Sequence, residues 1–263
     1  MYNTILRSPH DSRDFRISFP EVSLPPYVDL MPDVEEVEDQ GTTSSCAANA
    51  AAAAMEIAYK RAGQSKDFSR LFIYWFARQL GGVLGDQGVY AKDICRALQE
   101  NGVCLESTWD FILENIDVEP SVAAIMEAKE YPVYEYARLP ESDIVTNLKK
   151  SVASGIPVLT SIKTSVGFGV LGKDWKQHDW DPTLEYIGDH GVVIIGYDDV
   201  TQRFLALNSW GPGWGDGGFF GIPYSRIGNE SYKDYYRSTK SAYEYWVLSK
   251  LNVPYVKYEG VES

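Results

Sequence analysis

Gln40-Gly41-Thr42-Thr43-Ser44-Ser45-Cys46-Ala47-Ala48-Asn49-Ala50-Ala51-Ala52-Ala53-Ala54-Met55 is the passage around which this chain organises itself. Three cap-type residues, Thr43, Ser44 and Ser45, precede a run of the best helix-forming residue. Lys60 and Arg61 fall in the last turn and Gly63 closes it, so the pattern predicts a helix over about 47–62. Cys46 then sits at or beside the first turn. Unsatisfied N–H groups and the helix dipole there favour a thiolate, the nucleophilic form of cysteine. The competing reading is a small buried hydrophobe, and position alone leaves the two even.

Upstream, an acidic run (Asp33, Glu35, Glu36, Glu38, Asp39) follows a proline-punctuated segment ending near Val28. The run reads first as a solvated face, and second as a preference for basic residues on a partner. Downstream, helices are expected at 69–80, 90–100, about 120–129 and 142–153, each stopped by glycine or a turn. The second half changes to short β-branched or aromatic runs at 156–162, 191–197, 203–208, 218–223 and 244–251. A loop of nearly thirty residues, Lys163 to Asp189, separates the first two. Helices first and strands second predict an α+β fold. The expected organisation is a leader over 1–28 and one domain over 29–263, with a helical half at about 40–130 and a β half at about 131–263.

The chain has 263 residues, 44% hydrophobic, which is enough for a sizeable core and excludes disorder or a coiled coil. A net charge of −13 without a basic stripe argues against nucleic acid. The first residues lack a signal-peptide pattern, and the alanine run is too short, and broken by Asn49, for a membrane span. Three cysteines (Cys46, Cys95, Cys104) allow at most one internal disulfide. The expectation is a protein of the cytoplasm or another reducing compartment, with virion association open. Cys95 and Cys104 read as core residues, and no cluster has zinc-ligand spacing.

A cysteine nucleophile needs a base. Of His10, His178 and His190, the last stands just before the apolar strand Gly191-Val192-Val193-Ile194-Ile195-Gly196-Tyr197. Asn208 ends the next expected strand. Neighbouring strands would bring the two together, so that the Asn oxygen fixes the imidazole tautomer. Gln40 could aim an amide N–H in front of the sulfur and, with the Cys46 N–H, form an oxyanion hole. Each has a plainer reading: a structural histidine and a polar loop residue. His10 reads as leader surface, and His178, beside Trp175, Trp180 and Asp181, as a solvated loop histidine.

Asp39 to Ala47, then Asp189-His190-Gly191-Val192, then Asn208-Ser209-Trp210-Gly211-Pro212-Gly213-Trp214-Gly215 together resemble the papain-like cysteine peptidases, in family order, over about residues 26–251. The resemblance implies a helical half and a β-barrel-like half with the active-site cleft between them. It implies Cys46 as nucleophile, His190 as base and acid, Asn208 as orienting residue, Gln40 as oxyanion donor, and Trp210 as a shield over the His–Asn bond. Gly85-Asp86-Gln87-Gly88 resembles the segment lining the non-primed cleft. Gly88 would pair with substrate backbone there, with Val89 and Tyr90 walling a pocket and Asp189 flanking the site. The implied activity is hydrolysis of peptide or protein substrates through an acyl-enzyme, without metal or organic cofactor.

Four family positions differ. Thr43 replaces a disulfide cysteine, Ser44 a glycine and Ala47 an aromatic residue, and the cysteine expected near Asp86 is absent. The look is that of a disulfide-poor bacterial and viral subgroup, which shares a leader resembling Ser12-Arg13-Asp14-Phe15-Arg16. That leader is too short for an inhibitory prodomain and is expected to pack on the body as a strap. Two rivals stand beside the peptidase reading. One is an idle papain-like binding or structural protein, for example a particle component with the 163–189 loop over its cleft. The other is a related amidase or transamidase. Oligomeric state is left open.

Overall fold

A computed structural model describes residues 5–9, 11, 14–19, 23–168, 183–228, 238 and 240–257. The helices are α1 (Cys46–Arg61), α2 (Arg70–Gly81), α3 (Ala91–Asn101), α4 (Val122–Ala128) and α5 (Ile144–Ala153). The strands are β1 (Ile5–Leu6), β2 (Tyr27–Asp29), β3 (Val89–Tyr90), β4 (Val133–Arg138), β5 (Val158–Ser165), β6 (Tyr186–Asp198), β7 (Arg203–Leu207), β8 (Phe219–Pro223) and β9 (Ala242–Leu251). Six strands run in the order β4-β9-β5-β6-β7-β8, β2 adds to β6, and all these pairs are antiparallel. A second, two-stranded sheet joins β1 to β3 in parallel.

The centre of the molecule is α1. Its residues from Cys46 to Met55 are all buried, because alanine lets a helix be covered on every side. The helix lies against β6, and Gly191 sets how closely. A Cβ at Gly191 would stand 3.0 Å from the Cα and N of Ala47, so a side chain there would push the strand off the helix. Ser69 caps α2 by accepting the Phe72 N–H at 3.2 Å. Ser45 precedes α1 but makes no such bond; its hydroxyl is used elsewhere.

Helix limits differ from the sequence expectation by one or two residues. The larger differences are in the β half. β6 begins at Tyr186, so His190 lies inside a strand, opposite Ile162, rather than before it. β5 likewise runs on to Ser165, shortening the connection. β4 was not expected, since its exposed Tyr134 and Glu135 hide the period-2 pattern. Most of the long loop, with Trp175, His178, Trp180 and Asp181, lies outside the described residues, as do His10, Ser12 and Arg13. The acidic run is a solvated face in part: Glu35, Glu36 and Asp39 are exposed, with Glu35 paired to Lys60 at 2.5 Å, while Asp33 pairs with Arg61 at 2.5 Å and Glu38 with Arg70.

Candidate active site

The first residue of α1 meets the middle of β6. The Gly191 N–H, from the residue after His190, donates to Cys46 Sγ at 3.2 Å. His190 Nε2 and Asn208 Oδ1 lie 2.6 Å apart, with Asn208 just past the end of β7. Gln40 comes in on its own loop and is held at both ends of its amide. Oε1 accepts from Ser209 Oγ at 2.7 Å and Nε2 donates to Thr43 O at 2.7 Å, which leaves the second amide hydrogen for another acceptor. Two backbone bonds clip that loop to the tryptophan-glycine block: Gln40 N to Ser209 O at 2.9 Å and Gly211 N to Glu38 O at 2.8 Å. Nearby, Gly218 holds a φ of +97, and a Cβ there would meet Val37 Cγ1 at 2.2 Å, so glycine is required.

Around α1's start runs a directed chain of donors. Asn49 Nδ2 donates to Ser45 Oγ at 2.9 Å, Ser45 Oγ meets Thr43 Oγ1 at 2.6 Å, and Thr43 Oγ1 donates to Gln40 O at 2.8 Å. Thr43 therefore fixes the loop by hydrogen bonds where the family position would hold a disulfide cysteine. A second bridge runs outward through Asp86. Its carboxylate accepts from Ser44 N at 2.8 Å and from Tyr74 OH at 2.7 Å, and Gly88 N donates to Tyr74 OH at 3.1 Å. The Gly88 N–H therefore points into the protein. The strand edge beside it, Val89–Tyr90, is occupied by β1 in the register Ile5 to Val89 and Leu6 to Tyr90. β1 also lies against β6. Further along the leader, Ser8 N donates to the buried Glu244 carboxylate at 3.2 Å, and Asp14 pairs with Lys92.

The opposite wall is aromatic. Trp210 lies 4.8 Å from His190 by ring centroids, and Trp214, Phe220 and Phe168 pack edge-on or tilted around it at 5.2–5.6 Å. Cys46, His190 and Gln40 are fully buried and Asn208 nearly so. That closure has an electrostatic consequence at odds with the expected easy thiolate. Burial pushes the Cys46 thiol up to about 11, with Asp189 adding to the rise, and the N–H groups of Gly191, Ala47 and Cys46 only partly offset it. Cys95 and Cys104 are free and buried, also pushed up by burial.

The sequence reading missed Tyr74, Ser209, Asn49, Glu244 and Phe168, and placed Asp86 in the cleft-lining segment without its bridge to Ser44 and Tyr74. Ser209 stood inside a recognised block, but its partner Gln40 comes from a distant element; Asn49 stood inside the helix signal and bonds Ser45 one turn back. Among the described residues no group of three or more His, Cys, Asp or Glu side chains is placed to hold a metal, and no helix is long and apolar enough to cross a membrane.

A family model described as papain family cysteine protease matches residues 24–235. An uncharacterized peptidase C1-like protein of Acanthamoeba polyphaga mimivirus is 26% identical, over 95% of this chain and 88% of its own. Cysteine proteinase 1 of Entamoeba histolytica is 25% identical, over 84% and 71%. Among solved structures, xylellain, a cysteine protease from Xylella fastidiosa, superposes with a TM-score of 0.80 at 30% identity, over 94% of both chains. The fold is papain-like α+β, and the family acts as peptidases on peptide or protein substrates. This chain belongs to the papain family of cysteine proteases.

Proposed function

We propose that the chain hydrolyses peptide bonds through a Cys46–His190–Asn208 site and an acyl-enzyme. The observation that carries the reading is the Gly191 N–H at 3.2 Å from Cys46 Sγ, one residue from an imidazole bonded to Asn208 at 2.6 Å. His190 takes the thiol proton; the sulfur attacks the scissile carbonyl. The free hydrogen of Gln40 Nε2 and the Cys46 N–H receive the oxyanion. His190 then protonates the leaving amine, and water, activated by the same imidazole, releases the acid. Asn208 holds the tautomer, and Trp210 keeps water from the His–Asn bond. Val89, Tyr90 and Asp189 border the path of the peptide, which must take the strand edge now held by β1. Gly88 serves by shaping that edge, since its N–H is committed to Tyr74.

An idle binding role is disfavoured because all four groups are present, with Gln40 held at both ends of its amide, His190 bonded to Asn208 and Cys46 Sγ accepting from Gly191 N–H. The test is intact-mass labelling with an epoxysuccinyl peptide, beside Cys46→Ala and His190→Ala. One adduct on Cys46, absent from the first variant and strongly slowed in the second, is expected. Folded protein that takes no label, or label shared with Cys95 and Cys104, would sink the proposal.

A further inference from the structure

Between α1, the β6–β7 pair and the loop at Glu36 and Glu38 is a small cavity. About 10 Å³ of it is open to the centre of a water-sized sphere, which is room for about one water molecule. Asn49, Ala50, Ala53, Gly191, Leu207 and Asn208 are among the residues around it. Two of these carry an unsatisfied amide atom. Asn49 Oδ1 and Asn208 Nδ2 are buried and have no hydrogen-bond partner in the protein among the described residues, while the two side chains are 2% and 3% exposed. One atom is an acceptor and the other a donor. Buried polar atoms of this kind are costly unless something bridges them.

The orientation of both amides is fixed from their far ends. Asn49 Nδ2 donates to Ser45 O at 3.0 Å and to Ser45 Oγ at 2.9 Å, so its oxygen must face away from them. Asn208 Oδ1 is engaged with His190 Nε2, so its nitrogen must face away from the imidazole. Neither amide can flip without breaking these bonds.

We propose that Asn49 is a positioning residue for Asn208, acting through one water in this cavity that accepts from Asn208 Nδ2 and donates to Asn49 Oδ1. The inference rests on the reading of Cys46, His190 and Asn208 as the catalytic site. The water closes a ring of hydrogen bonds: Asn49 to Ser45 to Thr43 to Gln40, Gln40 to Ser209, and Asn208 back to Asn49. The loop carrying the oxyanion donor and the amide orienting the base are thereby tied to the same helical turn as the nucleophile. The small side chains of Ala50 and Ala53 leave the space that a larger residue would fill.

The test has two arms. A crystal structure of the full chain at about 1.5 Å should show an ordered water within about 3.2 Å of both amide atoms. The isosteric Asn49→Leu, which removes the acceptor together with the two bonds to Ser45, should lower kcat/KM for a peptide substrate by at least about tenfold, of which the lost water bridge accounts for about tenfold, one hydrogen bond of about 1.4 kcal/mol. The loss should fall on kcat, with KM unchanged. In an Asn208→Ala background the same substitution should cost about tenfold less, because the route through the water is already gone and only the lost bonds to Ser45 are left. Losses that multiply, or a loss confined to KM, would mean a merely structural asparagine. Should Asn49→Leu fail to fold, the wild-type crystal structure still decides: a dry cavity in a chain whose Cys46 labels normally overturns the positioning role alone. A filled cavity in a chain that neither labels nor cleaves overturns the functional reading and, with it, any catalytic role for Asn49.

Discussion

The wall that carries Cys46 and the wall that carries His190 are built by opposite means. On the helical side the loop before α1 is pinned by polar bonds: Gln40–Thr43–Ser45–Asn49 inward, and Ser44–Asp86–Tyr74–Gly88 outward. On the sheet side the imidazole is enclosed by Trp210, Trp214, Phe168 and Phe220. The contrast follows from what each group needs. A thiol at a helix start must be aimed, and directional bonds aim it without a disulfide. A hydrogen bond as short as that between His190 and Asn208 must be kept dry, and aromatic area excludes water. Polar bonds fail one at a time, whereas a packed aromatic cluster loses area and gains a cavity together.

That difference predicts that the largest loss of stability comes from the aromatic wall. Phe220→Ala removes a buried ring that touches Phe168 and Trp214, and should destabilise the chain by about 3–5 kcal/mol in urea unfolding. Phe220→Leu should lose much less. If both cost under about 1 kcal/mol, the wall is a loose cover and the comparison fails.

Asp86→Ala strikes the polar wall. It leaves Ser44 N and the Tyr74 hydroxyl without their acceptor, and about 2 kcal/mol should be lost. Tyr74→Phe removes one hydroxyl from the same bridge and should cost about 1 kcal/mol. A double variant no worse than Asp86→Ala would show the bridge acting as one unit. Peptide cleavage by Asp86→Ala should weaken too, because the loop carrying Cys46 and the edge Val89–Tyr90 lose their common tie.

These bridges mark the limit of what the sequence discloses. Cys46, Gln40, His190 and Asn208 are legible because each stands at a local landmark: a helix start, a glycine turn, an apolar strand, a strand end. The α+β division is legible for the same reason, in the change from an alanine-rich helix to short β-branched runs. Asp86 is different. It stands in the segment that resembles the cleft lining, but its own role depends on Ser44, 42 positions away. Asn49 looks like a defect in an alanine helix until Asn208 is brought behind it. The pairing of β1 with β3 joins residues more than 80 positions apart through two residues each, too short a pattern for any periodicity to signal.

A smaller effect concerns charge behind the polar wall. Arg70 is the guanidinium for Glu38 and Glu106, and Glu56 accepts the Phe68 N–H at 2.9 Å close by. Burial pushes Glu56 up from 4.5 to about 8, with Glu38 and Asp67 adding to the rise. The folded chain then holds a proton that the unfolded chain releases between pH 4.5 and 8. Stability is greatest below that window and falls as pH rises through it, by at most about 1.4 kcal/mol per pH unit. Glu56→Gln should flatten this slope without moving the midpoint much at pH 5. An unchanged slope would mean that the charge is met by solvent.

The finest test asks whether the leader belongs to either wall. β1 takes the edge of β3 and lies against β6, and Ser8 N donates to Glu244, a residue with φ of +58 whose other oxygen accepts from Trp246 Nε1 at 2.8 Å. Ser8→Pro removes that N–H and nothing from α1 or the aromatic cluster. It also removes the hydroxyl that accepts from Lys92 N at 3.2 Å, and the two lost bonds weaken the strap by about 2 kcal/mol, a shift in its opening equilibrium of about thirtyfold. Global stability should stay within about 2 kcal/mol, while Cys46 labelling by the epoxysuccinyl peptide should quicken up to about thirtyfold. That pairing of a small stability change with a faster reaction would make the leader a cover over both walls. A slower reaction in step with lost stability would make it a part of the helical wall, held for the sake of the fold.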